Sequence, residues 1–345
     1  AFGLFGEREA ERFLLREVPS VRREDLILSP RTVRQLETEL MLPLRHPEIA
    51  TAFGVGGVKF VIFAGPPGIG KTHAARWIAT ELGRPVYLTN GAEVASMWYG
   101  ESEEKLRMKI RAAQAEPDGA VFIWDEAEAM LVERGTSQVG VEDRIVSVLL
   151  AETDGFVHRG NVVYVLTTNR VEKMDQALRR SLRATTITFE RPDAARARAL
   201  FQLYLKDITC LDARLETLAE HATRVLFTPA DALGQAVLRD GARLPLLPSM
   251  LASGALVRAS CERACRTALA RHLQANGNAG APGIYRDELL TAVADELDAV
   301  AKTLTVGNLA HALTLPAGTT AEQVVALEPP TGTARHRFVG RPLHI

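Results

Sequence analysis

Cysteine is almost absent from this sequence. Three residues, Cys210, Cys261 and Cys265, occur in a chain of 345. So sparse and odd a set excludes a disulfide framework and points to a reducing, cytoplasmic setting. Cys261 and Cys265 could share one helix face, but two thiols fall short of a zinc site and fit better as small core residues. Long apolar runs are missing too. None reaches the roughly 18 residues of a membrane-spanning helix, and the opening AFGLFGEREAERF is too charged for a signal peptide. Net charge is nearly absent, at −1, which argues against bulk polyelectrolyte binding of nucleic acid. Aromatics make up only 6%, so adjacent ones stand out. No internal repeat is visible. The length accommodates two or three domains with a sizeable core.

What is present is a complete phosphate-loop pattern. Gly65-Pro66-Pro67-Gly68-Ile69-Gly70-Lys71-Thr72 matches G-x-x-x-x-G-K-[ST] at every fixed position. The apolar run KFVIFA precedes it, as a buried parallel strand would, and HAARWIATEL follows with a helical pattern. Glycines let backbone N–H groups turn inward, and with the helix N-terminus they suit phosphate oxygens. Lys71 is the expected partner of the β- and γ-phosphates, and Thr72 a ligand of Mg²⁺.

Five strand candidates, Lys59–Ala64, Val86–Thr89, Ala120–Trp124, Asn161–Thr167 and Thr185–Phe189, alternate with helices. That order predicts an α/β fold, a doubly wound parallel five-stranded sheet, with ligands outside the carboxyl ends of the strands. Ahead of it, Ala1 to Val18 reads as an amphipathic helix and EDLILS (Glu24 to Ser29) as a short strand. Ser29-Pro30 opens a helix to about Leu42, and LPLRHP breaks it. After Pro192 the pattern turns mainly helical: Asp193 to Leu205, Leu211 to His221, Met250 to Gln274, Tyr285 to Leu304 and Gly307 to Leu313. Asp240-Gly241 between two apolar runs signals a hairpin insert, with Pro245 on an edge strand. The expected domains are an N-terminal helical extension (1–24), a phosphate-loop domain (25–191), a helical lid (192–315) and an extended tail (316–345) with at most a short strand.

Four more segments carry chemistry. VFIWDE ends a strand in two carboxylates: Asp125 suits Mg²⁺ through water, and Glu126 suits polarisation of an attacking water. An Asp-Glu pair is otherwise common as a helix cap, but this one follows a strand beside a phosphate loop. VYVLTTN puts Asn169 at the end of a neighbouring strand, where it could orient water or touch a γ-phosphate; the plainer role is a turn residue. Arg180 and Arg183 share a helix face and suit an arginine-finger role toward a neighbouring subunit, against the default of a solvated basic face. Trp98-Tyr99-Gly100 is an aromatic pair before a glycine and suits a loop that grips extended polypeptide.

Together these residues resemble the AAA ATPase module, the ring-forming protein-remodelling branch of the AAA+ superfamily. GPPGIGKT is similar to its Walker A motif, VFIWDE to its Walker B motif and MWYGESEEKLR to its first pore loop. TTNRVEKMDQALRRSLR resembles its second region of homology, with Asn169 at sensor 1 and Arg180 and Arg183 at the paired arginine fingers. Asp154-Gly155-Phe156 resembles the inter-subunit signalling turn, and Leu42-Pro43-Leu44 with His46-Pro47 the linker before the first strand. The resemblance implies a nucleotide held by Pro67, Gly68, Ile69, Gly70, Lys71, Thr72, His73 and Asp125, with Gly254 and Ala255 at a small-residue helix start. The hairpin ahead of Ser253-Gly254-Ala255 makes the lid most similar to the actinobacterial proteasome-associated ATPase (ARC/Mpa). Departures are Ser181-Leu182 where the family has Pro-Gly, and Leu26-Ile27-Leu28 where it has Ile-Gly-Gly. The subfamily's upstream coiled-coil and oligonucleotide-fold domains, and its Gly-Gln-Tyr-Leu tail, have no counterpart in this sequence, which therefore does not by itself support proteasome coupling.

The sequence is therefore expected to encode an ATPase with ATP and Mg²⁺ as ligands, a homo-oligomeric, hexameric ring, and a protein substrate. It leaves room for a protease or adaptor partner and expects neither membrane nor nucleic acid. Two alternatives stand beside it: an ATP-switched assembly scaffold with little turnover, and a nucleic-acid motor, which the neutral charge and the aromatic loop disfavour.

Overall fold

The computed structural model describes residues 16–17, 20–55, 60–91, 101–127, 162–170, 184–228, 232–274, 281–316 and 319–328. The chain divides into two compact units, 1–65 with 70–190, and 66–69 with 191–345.

The first unit is built on a sheet of β1 (Arg16–Glu17), β2 (Phe60–Ala64), β3 (Val86–Asn90), β4 (Ala120–Asp125), β5 (Val162–Thr168) and β6 (Thr185–Thr188), in the order β1-β3-β4-β5-β2-β6. The five longer strands run parallel, as the alternating pattern predicts. β2 and β5 are buried along their whole length, as a strand covered on both faces must be. Helices α4 (Lys71–Leu82) and α5 (Glu101–Gln114) pack on the sheet. Phe60, Ile62, Phe122, Trp124, Tyr164 and Leu166 share one core cluster with Leu106 and Ile110 of α5. The intervening Val61, Phe63, Val121, Ile123, Val163 and Val165 are also buried and point to the opposite face, since side chains alternate along a strand. An aromatic row crosses three strands on the first face. Tyr164 stacks on Phe60 at 4.8 Å and meets Phe122 at 5.7 Å, each its register partner. Such cross-strand pairs add to simple burial.

Three expectations for the leading segment need correction. Arg16–Glu17 is not helical: it pairs antiparallel with Val86 and Tyr87 of β3 and covers the sheet's edge, which would otherwise present unpaired backbone groups. Glu24 to Ser29 is not a strand. A 3₁₀ turn, Arg23–Asp25, bonds Asp25 N–H to Arg22 O and Leu26 N–H to Arg23 O, so those groups are consumed locally. The helix opened by Ser29 and Pro30 does not end at Leu42. α1 (Pro30–Gln35) passes through a π turn, Leu36–Met41, into α2 (Leu42–Arg45), and α3 (Pro47–Ala52) follows. The π turn precedes Pro43, which offers no N–H and would crowd the carbonyl of Glu39 in a regular helix; the wider turn relieves both problems.

In the second unit, α6 (Ala194–Leu205) starts at Asp193, whose carboxylate accepts from Arg196 N–H at 2.9 Å. α7 (Leu215–Phe227), α8 (Gly254–Gln274) and α9 (Arg286–Lys302) form a bundle with it, and a short α10 (Leu309–Ala312) follows. α7 starts later than the expected Leu211 to His221, since Leu211 N–H bonds Ile284 O instead, and it runs on to Phe227. The expected helix at Met250 begins at Gly254, after a 3₁₀ turn, Pro248–Leu251. The predicted hairpin is β7 (Gly234–Leu238) and β8 (Arg243–Leu246). Its loop is three residues long: Gly241 N–H bonds Leu238 O, Leu238 N–H bonds Ala242 O, and Gly241 has φ 82°, a type I turn closed by a left-handed residue. Pro245 lies on the outer strand, as expected. The tail supplies a third strand, β9 (Val324–Glu328), paired antiparallel with β7.

Cys261 is buried and its thiol is pushed well above the usual range by desolvation, which suits a core residue. Truncating Tyr164 to Ala should cost about 3–5 kcal/mol, while Tyr164→Phe, which keeps the ring, should cost far less. Thermal midpoints of the two variants check this.

Candidate functional site

The register of the parallel strands assembles the site. Ala64 pairs with Thr168, Trp124 with Leu166, and Asn90 with Asp125. The carboxyl ends of β2, β4 and β5 therefore come level; the chain leaves β4 and β5 with polar residues and β2 with the first glycine of the phosphate loop. β2 runs into the phosphate loop, whose first residue is tied back: Gly65 N–H donates to Thr168 O at 3.2 Å. Gly65, Gly68 and Gly70 have φ of 151°, 72° and 92°, values that glycine tolerates without steric cost. Gly70 caps α4 in the left-handed region, so the first turn of that helix, with its unsatisfied N–H groups, begins at Lys71.

Lys71 is 7% exposed. Its Nζ donates to Gly65 O at 2.8 Å and to Asn169 Oδ1 at 2.8 Å. Both acceptors are neutral, so they orient the ammonium without cancelling its charge. Thr72 Oγ1 donates to Asp125 Oδ1 at 3.0 Å. Asp125 Oδ1 also accepts from Thr167 Oγ1, and that hydroxyl in turn accepts from Glu126 N–H at 3.3 Å. Thr167 thus links the two acidic residues, one through its carboxylate and the other through its backbone. Glu126 is exposed and has φ 53°, the one positive φ outside glycine among the described residues. A left-handed Glu is disfavoured by roughly 1–2 kcal/mol. Such strain tends to concentrate where the chain must aim a side chain.

The expected site residues fall into three groups. Lys71, Thr72, Asp125, Glu126 and Asn169 come together in the first unit, and His73 is exposed on the same first helical turn as Lys71 and Thr72. Pro67, Gly68, Ile69, Gly254 and Ala255 lie in the second unit, where Ala255 N–H donates to Gly68 O at 2.9 Å. A Cβ on Gly68 would lie 2.6 Å from that of Ala255, and one on Gly254 would lie 3.2 Å from Gly68 O. Only residues this small allow the approach. Trp98, Tyr99, Gly100, Arg180, Arg183 and the turn Asp154-Gly155-Phe156 lie outside the described residues. Thr167 is the participant that the sequence reading passed over. A signal was there: two hydroxyls, Thr167 and Thr168, close a strand that is otherwise apolar.

Hard oxygen donors from Thr72 and Asp125 suit Mg²⁺, which prefers one or two such groups with water completing its shell. A buried cation beside the N-terminus of α4 suits an anion.

Residues 61–191 match the family "ATPase family associated with various cellular activities (AAA)". The chain is similar to an "AAA ATPase forming ring-shaped complexes" of Corynebacterium glutamicum, 30% identical over 309 residues, which cover 86% of this chain and 58% of that protein. It is also similar to "Protein SAV" of Sulfolobus acidocaldarius, 37% identical over 228 residues, or 65% of this chain and 28% of that one. A "Cell division cycle protein 48 homolog" of Archaeoglobus fulgidus is 35% identical over 216 residues, or 62% and 29%. The chain thus spans little more than half the length of the Corynebacterium protein. Among the described residues no helix is long and apolar enough to cross a membrane. With the strand order, the phosphate loop and the Asp125–Glu126 strand end all in place, the segment 61–191 is an AAA domain of the ATPase family.

Proposed function

We propose that this chain is a cytoplasmic, ring-forming ATPase that remodels protein substrates, with 25–191 as its ATPase domain and 192–315 as its lid. The observation that carries the reading is the convergence of Lys71, Thr72, Asp125 and Asn169 at the carboxyl ends of three adjacent strands. ATP is the substrate, and Thr72 and Asp125 would hold Mg²⁺, which would supply positive charge against the phosphates.

The chain's own residues divide the remaining work. Lys71, oriented by the carbonyl of Gly65 and the amide oxygen of Asn169, is the cation for the β- and γ-phosphates. Asn169 orients that ammonium and is the side chain proposed to contact water or a phosphate oxygen. The Thr167 hydroxyl occupies the Asp125 carboxylate and the Glu126 N–H. It thereby gives the two acids separate tasks, Asp125 toward the metal and Glu126 toward water as general base. The left-handed backbone at Glu126 serves that aim. Arg180 and Arg183 complete the site of a neighbouring subunit, and Trp98-Tyr99 grips the substrate in a central pore. The ring itself is supported by the relative named for ring-shaped complexes, and a hexamer is the size proposed.

Steady-state ATP hydrolysis measured against protein concentration tests this. Glu126→Gln should lower turnover by about 10²-fold or more with ATP still bound, and Arg180→Ala should do so by about 10³-fold. Specific activity should rise with concentration as rings form. Wild-type turnover in Glu126→Gln would sink the mechanism. Trp98→Ala should hydrolyse ATP yet fail to process a protein substrate.

A second outcome follows from backbone strain. Glu126→Gly should abolish hydrolysis and at the same time stabilise the fold by up to about 1 kcal/mol. A thermal midpoint below that of Glu126→Gln would count against the strain.

A further inference from the structure

Arg191 opens the second unit, and its guanidinium turns inward. One nitrogen, Nη1, donates to Leu251 O at 3.3 Å and Ala252 O at 3.2 Å; the other, Nη2, donates to Ala312 O at 2.7 Å. Burial lowers its pKa to about 10, so it remains charged at neutral pH. Its own carbonyl accepts from Arg196 Nη2 at 2.9 Å, and Arg196 is in turn held by Asp193 at the start of α6. The backbone of Arg191 is therefore pinned from the helix side while its fork reaches across the unit.

The three carbonyls it gathers have one thing in common. Leu251 ends the 3₁₀ turn, Ala252 links that turn to α8, and Ala312 ends α10. Each is at a helix terminus or just beyond one, where carbonyls lack intrahelical partners and carry partial negative charge. The linker is buried, with Leu251, Ala252 and Ser253 at 3%, 0% and 7% exposure. One residue on, Ser253 caps α8 through Leu256 N–H at 3.2 Å, and Ala255 N–H holds Gly68 O. The phosphate-loop residues 66–69 thus rest on a helix start whose approach segment is held by one side chain.

We infer that Arg191 is a positioning residue for the phosphate loop, acting through Leu251–Ala255 on Gly68. Its fork is suited to this. A guanidinium can bridge carbonyls on separate elements in a fixed plane, whereas a lysine would offer a point charge on a flexible stem. The effect on nucleotide binding rests on the functional reading above; the effect on the loop does not.

Amide hydrogen exchange on nucleotide-free protein tests the inference directly. In Arg191→Lys the Ala255 amide should exchange roughly tenfold faster or more, while amides of Val121 to Ile123 in the central strand keep their protection. Binding of a fluorescent ATP analogue should weaken by a similar factor. In Gly68→Ala, which breaks the close contact at Ala255, adding Arg191→Lys should weaken binding little further, because both changes act on one link. Unchanged exchange at Ala255, acceleration spread equally over both units, or additive losses in the double variant would each overturn the inference. If exchange quickens selectively but even the wild-type protein binds no nucleotide, the nucleotide reading falls and the positioning role stands. Lys71→Ala, which should lose binding without altering exchange at Ala255, separates the two.

Discussion

Everything at the candidate site depends on the parallel register of three strands. β2, β4 and β5 end level with one another, so three chain exits converge. The first strand in sequence after the edge strand lies between β5 and β6. Connections therefore leave it and its neighbours in opposite directions, and the crevice they leave is where open α/β sheets take their ligands. Backbone hydrogen bonding sets this arrangement, and side-chain chemistry then uses it.

The site also shows what that arrangement costs. An ammonium, a carboxylate and two hydroxyls sit in largely buried positions at the strand ends, and a glutamate is held at φ 53°. Each is unfavourable alone. They persist because the groups satisfy one another: Lys71 with Gly65 O and Asn169, Asp125 with Thr72 and Thr167, Glu126 N–H with Thr167. The apolar layers beneath, with the aromatic row Phe60, Tyr164 and Phe122, provide the rigid floor that such a network needs.

The second unit meets a different requirement. Its helices are tied by exposed and half-buried ion pairs, such as Arg271 to Glu288 at 2.7 Å and Arg263 to Glu296 at 2.6 Å, whose individual contributions are small. The contact between Ala255 and Gly68 instead relies on size. A hydrogen bond and the absence of a Cβ bring two backbones together, which is why small residues recur there.

Much of this was legible in the sequence. The phosphate loop is a local pattern, because glycines at fixed spacing and a following Lys-Thr need no distant partner to be recognised. The alternation of apolar runs with helical segments gave the parallel sheet, and Asp240-Gly241 gave the hairpin, since turn conformation is a property of a few adjacent residues. What short-range pattern could not decide was anything resting on long-range pairing. Arg16 and Glu17 read as helix until an unpaired strand edge claims them. Val324 to Glu328 becomes a strand because β7 offers a partner. Thr167 looks like strand filler until the register brings Asp125 beside it. Arg191 is one arginine among many until three distant carbonyls surround it. Sequence by itself determined the fold class and the identity of the phosphate loop, because local backbone preference and hydrophobic period encode them. Only the tertiary structure decided which hydroxyl joins the two acids and which arginine holds the approach to the loop, because those roles exist only where residues far apart in the chain meet.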